Sequence, residues 1–278
     1  MANVFHTEDG KLAIMNYYDM LIEKIEIPHK QTTVQTEFGS TFVFEFGEPT
    51  SEPMILLHGS SMNSAMWFGD IKEFYKQYHV FAVDMPGEPG KSEAIQYAFD
   101  TDEYADWLCS VLDKLGLDQA IIVGLSLGGW LAAKFAVKHQ SRISKLILLC
   151  PAGIGSQNNA FKEIALSLLP KGEEGVNELF RKINGDDDIP ELALNYQKLI
   201  GMFFNTRKEE IPLFTDKQLQ SITVPTFLFV GGNDILLKSE ETAQRVKNLV
   251  PKADITIFPE KGHSLIGLAK EIIEKING

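Results

Sequence analysis

The motif Gly-Leu-Ser-Leu-Gly at residues 124–128 is the strongest chemical signal in the sequence, with Ser126 at its centre and Gly129 directly after it. It follows the apolar run Ile121–Val123 and opens a segment with helical periodicity. A sharp turn between a strand and a helix holds its central serine in strained backbone angles and exposes the hydroxyl. We therefore predict that Ser126 is a nucleophile. The alternative is a glycine-rich turn in which the serine only caps the helix.

A serine hydroxyl needs a general base to activate it, and the base needs an acid to orient it. Of the six histidines, His263 follows the last apolar run and stands beside Gly262, which lets the ring turn back towards the end of the sheet. Asp234 ends the loop that leaves the apolar run Phe227–Val230. We predict the triad Ser126, Asp234 and His263, in that chain order. The alternatives are a turn aspartate and a histidine at a helix N-terminus.

A tetrahedral intermediate also needs two hydrogen-bond donors for its oxyanion. One predicted donor is the backbone N–H of Leu127, the residue after the nucleophile. The other comes from the loop that follows the apolar run 54–57, where we expect Ser60 to offer its N–H, with Ser61 as the second choice. We expect His58, at the start of this loop, to brace it by hydrogen bonding.

A second loop, residues 84–92, is rich in Gly and Pro and leaves the apolar run Val80–Val83. Its last three residues, Gly-Lys-Ser, match the end of a phosphate-binding loop. The rest of that motif is missing, because Met85 stands where its first glycine would be and no helical pattern follows. We therefore interpret the segment as a tight loop and exclude nucleotide binding.

Positioning these residues requires a sheet whose strands end at one edge. Continuous apolar runs are typical of strands buried on both faces of a parallel sheet, and the helical patterns between them indicate crossover helices. The strand-like runs are Thr33–Thr36 and Thr41–Phe46, which form a hairpin, then Met54–Leu57, Val80–Val83, Ile121–Val123, Leu146–Leu149, Phe227–Val230 and Ile255–Phe258. The helical patterns cover about Ala65–Gln77, Thr101–Leu115, Leu127–Lys138, Glu240–Leu249 and Leu265–Lys275.

The alternation of strands and helices breaks once, between Leu149 and Val224. Roughly 70 residues there have helical periodicity, which is too long for a loop and predicts an inserted cap. We expect a helical N-terminal segment at 1–30, a core at 31–150 and 221–278, and a helical cap at 151–220. The apolar face of the first helix is predicted to contain Leu12, Met15, Tyr18, Ile22 and Ile25.

Composition excludes several classes of protein. Hydrophobic residues make up 44% of the 278 residues, as in ordinary globular proteins, and 26 basic against 38 acidic residues give a net charge of −12. The excess of acid argues against nucleic acid and membrane partners. Cys109 and Cys150 are too few for a disulfide framework or a zinc cage, and no dinucleotide or metal-ligand motif is present, so we expect no cofactor and no metal. The N-terminus has no signal-like pattern, which favours the cytoplasm. The sequence leaves the oligomeric state open.

Together these elements resemble the α/β-hydrolase family over about residues 30–278. The matching elements are His58-Gly59, Asp84-x-Pro86-Gly87-x-x-Gly90-x-Ser92, Gly124-x-Ser126-x-Gly128-Gly129, Gly232-x-Asp234 and Gly262-His263. The resemblance implies an eight-stranded, mostly parallel sheet with a lid inserted after the sixth strand. Within the family the sequence is similar to bacterial carboxylesterases, including the type that cleaves naproxen esters. It departs from the family at Glu88-Pro89, which makes the Asp84 loop one residue longer.

The resemblance implies hydrolysis of carboxylic esters through an acyl-enzyme. Carbon–carbon bond hydrolases share the same triad and remain an alternative, as does a sensor or signalling protein on the same fold. The cap has no basic cluster that stands ready to bind an anion, because Arg181-Lys182 and Arg207-Lys208 look like solvated pairs. We therefore expect a small-molecule ester of a small, apolar or aromatic acid. The residues predicted to line its pocket are Trp67, Met202, Phe203 and Phe204.

Overall fold

A single eight-stranded sheet organises the chain in the computed structural model, which describes residues 4–185 and 189–278. The strands are β1 (His29–Thr36), β2 (Gly39–Phe46), β3 (Glu52–Leu57), β4 (Tyr78–Val83), β5 (Ala120–Leu125), β6 (Ile143–Leu149), β7 (Thr226–Gly231) and β8 (Ala253–Phe258). Their order in the sheet is β1-β2-β4-β3-β5-β6-β7-β8. The hairpin β1–β2 and the pair β2–β4 are antiparallel, and every other pair is parallel. Each predicted strand is therefore confirmed, with longer bounds than its apolar run.

Ten α-helices lie in the described residues: α1 (Glu8–Ile22), α2 (Phe68–Phe74), α3 (Glu103–Lys114), α4 (Leu127–His139), α5 (Ala160–Leu168), α6 (Glu173–Ile183), α7 (Glu191–Phe203), α8 (Asp216–Gln220), α9 (Ser239–Leu249) and α10 (Ala269–Asn277). Two predicted helices differ from the structure. Residues 65–67 of the predicted helix 65–77 belong to a 3₁₀ turn, Ser64–Trp67, and the last helix begins at Ala269 rather than Leu265. Within 4–185 and 189–278, no helix combines the length and apolar character that crossing a bilayer requires.

The centre of the sheet is the most deeply buried part of the molecule. Every residue of β4 and β5 is buried, as expected for strands that helices cover on both faces. Helices α3 and α4 pack against each other and α4 packs on β5, with Trp107, Trp130 and Phe135 almost completely inaccessible. This rigid layer supports the turn that carries Ser126, because that turn joins β5 to α4.

Helix α1 packs against the cap helix α7. Its buried face consists of Gly10, Ile14, Tyr18 and Ile22. The predicted face is correct for Tyr18 and Ile22 but wrong for Leu12, which is 59% exposed, because the helix turns Ile14 inward instead. The ring of Tyr17 stacks on Tyr196 of α7 with centroids 5.1 Å apart. The N-terminal helix therefore supports the cap as well as the sheet.

Helices α5 to α8 form the insertion between β6 and β7 that the sequence predicted. The insertion reaches the carboxyl ends of the strands, because the His263 N–H donates to the carbonyl of Ile183 at 2.8 Å. On the other side, the Asn63 amide bonds the Tyr196 hydroxyl at 2.6 Å. The predicted boundaries of the N-terminal segment, core and cap remain predictions.

Candidate active site

Ser126 occupies the sharp turn between β5 and α4. Its φ of 54° and ψ of −110° are strained for a residue with a side chain. The turn is fixed on both sides, because the Ser126 N–H donates to the Leu149 carbonyl at 2.9 Å and the Ser126 carbonyl accepts from Ala152 N–H at 3.0 Å. The strained conformation predicted from the motif is thus present, and neighbouring backbone holds it in place.

The two glycines of the motif are required by close backbone contacts. A Cβ atom on Gly124 would lie 2.2 Å from the carbonyl oxygen of Gly128, and one on Gly128 would lie 2.3 Å from the oxygen of Leu57. Both distances are far inside van der Waals contact. Any side chain at either position would therefore push β5, α4 and β3 apart and move Ser126.

Asp234 and His263 form a buried hydrogen-bonded pair. His263 Nδ1 lies 2.7 Å from Asp234 Oδ2, and both residues are almost fully buried. The other carboxylate oxygen, Oδ1, accepts the backbone N–H groups of Leu236 at 2.7 Å and Leu237 at 2.9 Å. These two bonds fix the carboxylate, and the carboxylate in turn fixes the imidazole. The pair predicted from its placement after two strands is therefore within hydrogen-bond distance.

Cys150 lies beside this pair, which sequence reasoning missed. The thiol, the Asp234 carboxylate and the His263 ring each place one atom within 4.8 Å of the other two. Cys150 is buried and has a positive φ of 38°. Burial and the neighbouring Asp234 raise the pKa of the thiol well above its usual value, so it stays protonated. The order of the strands could have shown this contact, because Cys150 follows β6 and β6 pairs with β7, the strand before Asp234.

The loop of residues 58–64, which follows β3, lies next to Ser126. A Cβ atom on Gly59 would be 3.7 Å from the Cβ of Ser126. Ser61 has a left-handed φ of 56°, and its N–H donates to Glu88 Oε2 at 2.6 Å. Ser60 is exposed, and its N–H has no acceptor among the residues that the structure describes. Because the N–H of Ser61 is already engaged, the geometry favours Ser60 over Ser61 as an oxyanion donor.

His58 braces the start of the 58–64 loop, as expected. Its Nδ1 donates to the Gly59 carbonyl at 2.8 Å, while its Nε2 accepts the Met85 N–H at 2.9 Å. Because a backbone N–H can only donate, Nε2 carries no proton. Burial lowers the pKa of His58, which agrees with a neutral ring.

Asp84 braces the end of the same loop. Its carboxylate accepts the N–H of Ser64 at 2.9 Å and the Ser64 hydroxyl at 2.7 Å. It also accepts the Lys91 N–H at 2.8 Å and the Tyr18 hydroxyl at 3.0 Å. These bonds join the 58–64 loop, the 84–92 loop and α1. Asp84 is thus a structural carboxylate. None of its described hydrogen bonds involves Asp234 or His263.

A profile described as alpha/beta hydrolase fold matches residues 52–199, which is more than half of the chain. The chain belongs to the α/β-hydrolase family. The protein is therefore a hydrolase, with the eight-stranded sheet and helical insertion that the resemblance implied.

Two Bacillus subtilis proteins illustrate its similarity to other members of the α/β-hydrolase family. Carboxylesterase YbfK of strain 168 is 28% identical over 271 residues, covering 94% of this chain and 90% of YbfK. The crystal structure of carboxylesterase CesB (YbfK) matches with a TM-score of 0.82 and 29% identity, over 97% of this chain and 96% of that one. The crystal structure of naproxen esterase (carboxylesterase NP) matches with a TM-score of 0.85 over 97% and 99%. Its identity is 24%, so this last likeness shows the fold.

The residues predicted to line the substrate pocket have other contacts in this α/β-hydrolase. Met202 is 59% exposed, and its carbonyl accepts a hydrogen bond from the His6 ring at 2.8 Å. The ring of Phe203 packs against Gly10 of α1, so closely that a Cβ there would overlap it. The Met202 carbonyl and the Phe203 ring thus contact the N-terminal segment, and the Met202 side chain is mostly exposed.

The other two predicted pocket residues are buried. Phe204 meets the ring of Phe5 edge-on, with centroids 5.9 Å apart. Trp67 is fully buried, with a relative exposure of 0%. The pocket role of these four residues stays a prediction. In the structure Phe203 packs on Gly10 of α1, and Phe204 packs on Phe5, which precedes α1.

Arg207 corrects the expectation that it is a solvated residue. Its guanidinium donates to the Tyr97 carbonyl at 2.7 Å and to the Tyr104 hydroxyl at 3.1 Å, and it lies 3.8 Å above the ring of Phe99. Its side chain is 9% exposed. Arg207 is therefore a buried structural cation, and its charge acts on Glu88.

Proposed function

We propose that this hydrolase is a carboxylesterase that works through an acyl-enzyme on Ser126. The observation that carries the proposal is the buried 2.7 Å contact between Asp234 and His263 in a chain that also holds Ser126 in a strained turn. Two hydrogen bonds to Asp234 Oδ1 keep the acid in place. The similarity to carboxylesterases over nearly the whole chain supports ester bonds as the target.

In the proposed first step, Ser126 Oγ attacks the ester carbonyl and gives its proton to Nε2 of His263. The Asp234 carboxylate accepts from Nδ1–H, which keeps Nε2 unprotonated beforehand and stabilises the imidazolium that forms. The C–O bond to the alcohol then breaks, and the imidazolium protonates the leaving oxygen. In the second step water attacks the acyl-enzyme, again losing its proton to His263, and the acid leaves as Ser126 recovers its own proton.

The oxyanion of both tetrahedral intermediates needs donors that are not otherwise engaged. We propose the N–H groups of Ser60 and Leu127. Leu127 is the first residue of α4, where N–H groups have no partner within the helix, and the helix dipole favours negative charge there. Ser61 is a weaker candidate because its N–H already bonds Glu88.

We further propose a neutral, apolar or aromatic acyl group. Support comes from Arg207, whose guanidinium is buried and already bonded to Tyr97, Tyr104 and Glu209. Met62 is a better candidate for an acyl contact than the cap residues. It follows Ser61 directly, is half-buried, and does not pack on the hydrophobic core as Met66 does.

Substitution of the nucleophile tests the function. We expect Ser126→Ala to lower the hydrolysis rate of p-nitrophenyl acetate by several orders of magnitude without loss of folding. Ser144→Ala, on the surface of β6, is the matched control and should retain full activity. Wild-type protein should also release a burst of p-nitrophenol equal to the enzyme concentration when deacylation is slow. A folded Ser126→Ala enzyme with more than about a tenth of wild-type activity would rule out the assignment.

Chain-length selectivity tests the substrate proposal separately. Each methylene that is buried in an acyl pocket contributes at most about 0.8 kcal/mol. We expect Met62→Ala to change how kcat/KM varies across p-nitrophenyl esters of increasing acyl length. Met202→Ala should leave the profile unchanged, because that side chain is mostly exposed. If Met202→Ala changed the profile and Met62→Ala did not, the acyl pocket would be lined by the cap.

A further inference from the structure

Glu88 belongs to the pair Glu88-Pro89 that makes the 84–92 loop longer than the family pattern, and its side chain points into the protein. It is 3% exposed, although glutamate is among the residues that are seldom fully buried without a partner. Its Oε2 accepts the Ser61 N–H at 2.6 Å. Its Oε1 is buried and has no hydrogen-bond partner among the described residues. Glu88 is therefore not a surface residue of a lengthened loop.

The bond from Ser61 to Glu88 holds the middle of the 58–64 loop. His58 fixes the start of the loop and Asp84 fixes its end, through Ser64. Between them, Ser61 has a left-handed φ of 56°, which is unfavourable for a residue with a side chain. A strained residue keeps its conformation only where surrounding contacts demand it. The bond to Glu88 is short, as bonds to a charged acceptor are.

Glu88 is buried, and its neighbours compensate the negative charge of its carboxylate only in part. The charged and titratable groups that face it are Arg207, from the segment after α7, and Tyr104, from α3. Arg207 and the Ser61 N–H favour the carboxylate, but burial dominates and raises the pKa of Glu88 to about 8. The Tyr104 hydroxyl accepts from Arg207, which also pairs with Glu209.

We propose that Glu88, as a carboxylate, is a positioning residue for ester hydrolysis: it holds the peptide between Ser60 and Ser61 so that the Ser60 N–H faces the oxyanion. This inference rests on the proposed function for its chemistry. Glu88 does not touch the reacting atoms. It acts through the loop, so its loss should lower kcat more than it raises KM.

The carboxylate form binds the Ser61 N–H more strongly than the neutral acid, because a charged acceptor makes a stronger hydrogen bond. Below about pH 8 Glu88 is mostly protonated, and above it Glu88 is ionised. Activity should therefore rise near pH 8 as Glu88 ionises. This rise should depend on the Glu88 side chain.

Three variants test the proposal by steady-state kinetics with p-nitrophenyl acetate from pH 6 to 9. We expect Glu88→Ala to lower kcat about 10- to 100-fold with little change in KM, less than the full loss of an oxyanion donor. Glu88→Gln keeps an oxygen for Ser61, so it should retain most of the wild-type rate. Its activity should lack the rise near pH 8. Glu93→Gln, in the same segment but bonded to Ser40, is the control and should keep the wild-type profile.

The Ser61 amide gives a readout that does not depend on activity. In a ¹H–¹⁵N spectrum its proton should move downfield as the pH passes about 8 in wild type, and it should stay constant in Glu88→Gln. If Glu88→Ala does not fold, Glu88→Gln decides by its pH profile and this amide. The inference would be overturned if the activity of Glu88→Gln still rose near pH 8 as in wild type. It would also be overturned if the Ser61 amide of wild type did not shift over this pH range. Failure of the proposed function looks different, because Ser126→Ala would then keep its activity.

Discussion

Replacing Asp234 by asparagine tests the mechanism sharply, because the structure fixes how the new amide must orient. Asp234 Oδ1 accepts two backbone N–H groups, from Leu236 and Leu237, and Oδ2 accepts the His263 Nδ1–H. Asparagine has one oxygen and one NH₂ group. If the NH₂ takes the Oδ1 position, it faces two donors; if it takes the Oδ2 position, it faces one. The oxygen will therefore stay with Leu236 and Leu237, and the NH₂ will face His263.

An NH₂ group that faces Nδ1 favours the opposite tautomer of the imidazole. Nδ1 then accepts, the proton resides on Nε2, and Nε2 cannot take the proton of Ser126. The equivalent exchange in a serine protease triad lowers kcat by about 10⁴, which corresponds to about 5 kcal/mol of transition-state stabilisation. Stability should change little, because the two backbone bonds at the Oδ1 position survive.

The assay is steady-state hydrolysis of p-nitrophenyl acetate, with thermal unfolding of each variant as a check on folding. Asp254→Asn is the matched control: it makes the same exchange on β8, where Asp254 pairs with Lys275 at 2.9 Å on the surface, and it should keep full activity. Asp234→Ala should lose both activity and stability, since Leu236 and Leu237 then lack their acceptor. A folded Asp234→Asn enzyme with kcat within tenfold of wild type would refute the tautomer argument.

Three further predictions concern groups near the site. Burial raises the pKa of Asp70 to about 6, above its value of about 4 in an unfolded chain. Because the folded state binds more protons between these values, the free energy of unfolding should fall by up to about 3 kcal/mol as pH rises from 4 to 6. Urea unfolding of Asp70→Asn should not show this dependence on pH. Because Cys150 is buried and its pKa is raised, iodoacetamide should modify it only after unfolding, as intact mass will show. Dialysis against EDTA should leave esterase activity unchanged, since Asp234 and His263 bond each other; activity restored by a divalent ion would contradict this.

The sequence predicted the parts of the molecule that local patterns specify. Apolar runs located every strand, and the glycines around Ser126 predicted a turn that the structure forms with a φ of 54°. The Asp234–His263 pair was predictable because parallel strands end at one edge of a sheet, which brings their following loops together. In each of these cases a short segment and one rule of topology were sufficient.

Features that depend on packing between distant segments were not predictable in the same way. Phe203 and Phe204 have the size and spacing of pocket residues, yet they contact Gly10 and Phe5. Nothing in the periodicity of a helix shows whether its apolar face meets a substrate or another helix. Glu88 was missed for a related reason: a glutamate in a Gly- and Pro-rich loop is ordinarily exposed, and its partners are far away in sequence.

Four buried carboxylates share one task around the candidate site, which is to accept backbone N–H groups from loops at the carboxyl ends of the strands. Asp84 holds Ser64 and Lys91, and Glu88 holds Ser61. Asp234 and Asp70 accept N–H groups from segments that flank His263 in space or in sequence: Leu236 and Leu237 for Asp234, and Gly267 and Ala269 for Asp70.

Loop backbone cannot satisfy its own N–H groups as a helix or sheet does, and an unpaired buried N–H is costly. A carboxylate offers several acceptor positions in a compact group, so one side chain can fix a loop at two points. The loops of the candidate site therefore depend on these four side chains, whereas the strands of the sheet satisfy their N–H groups with one another.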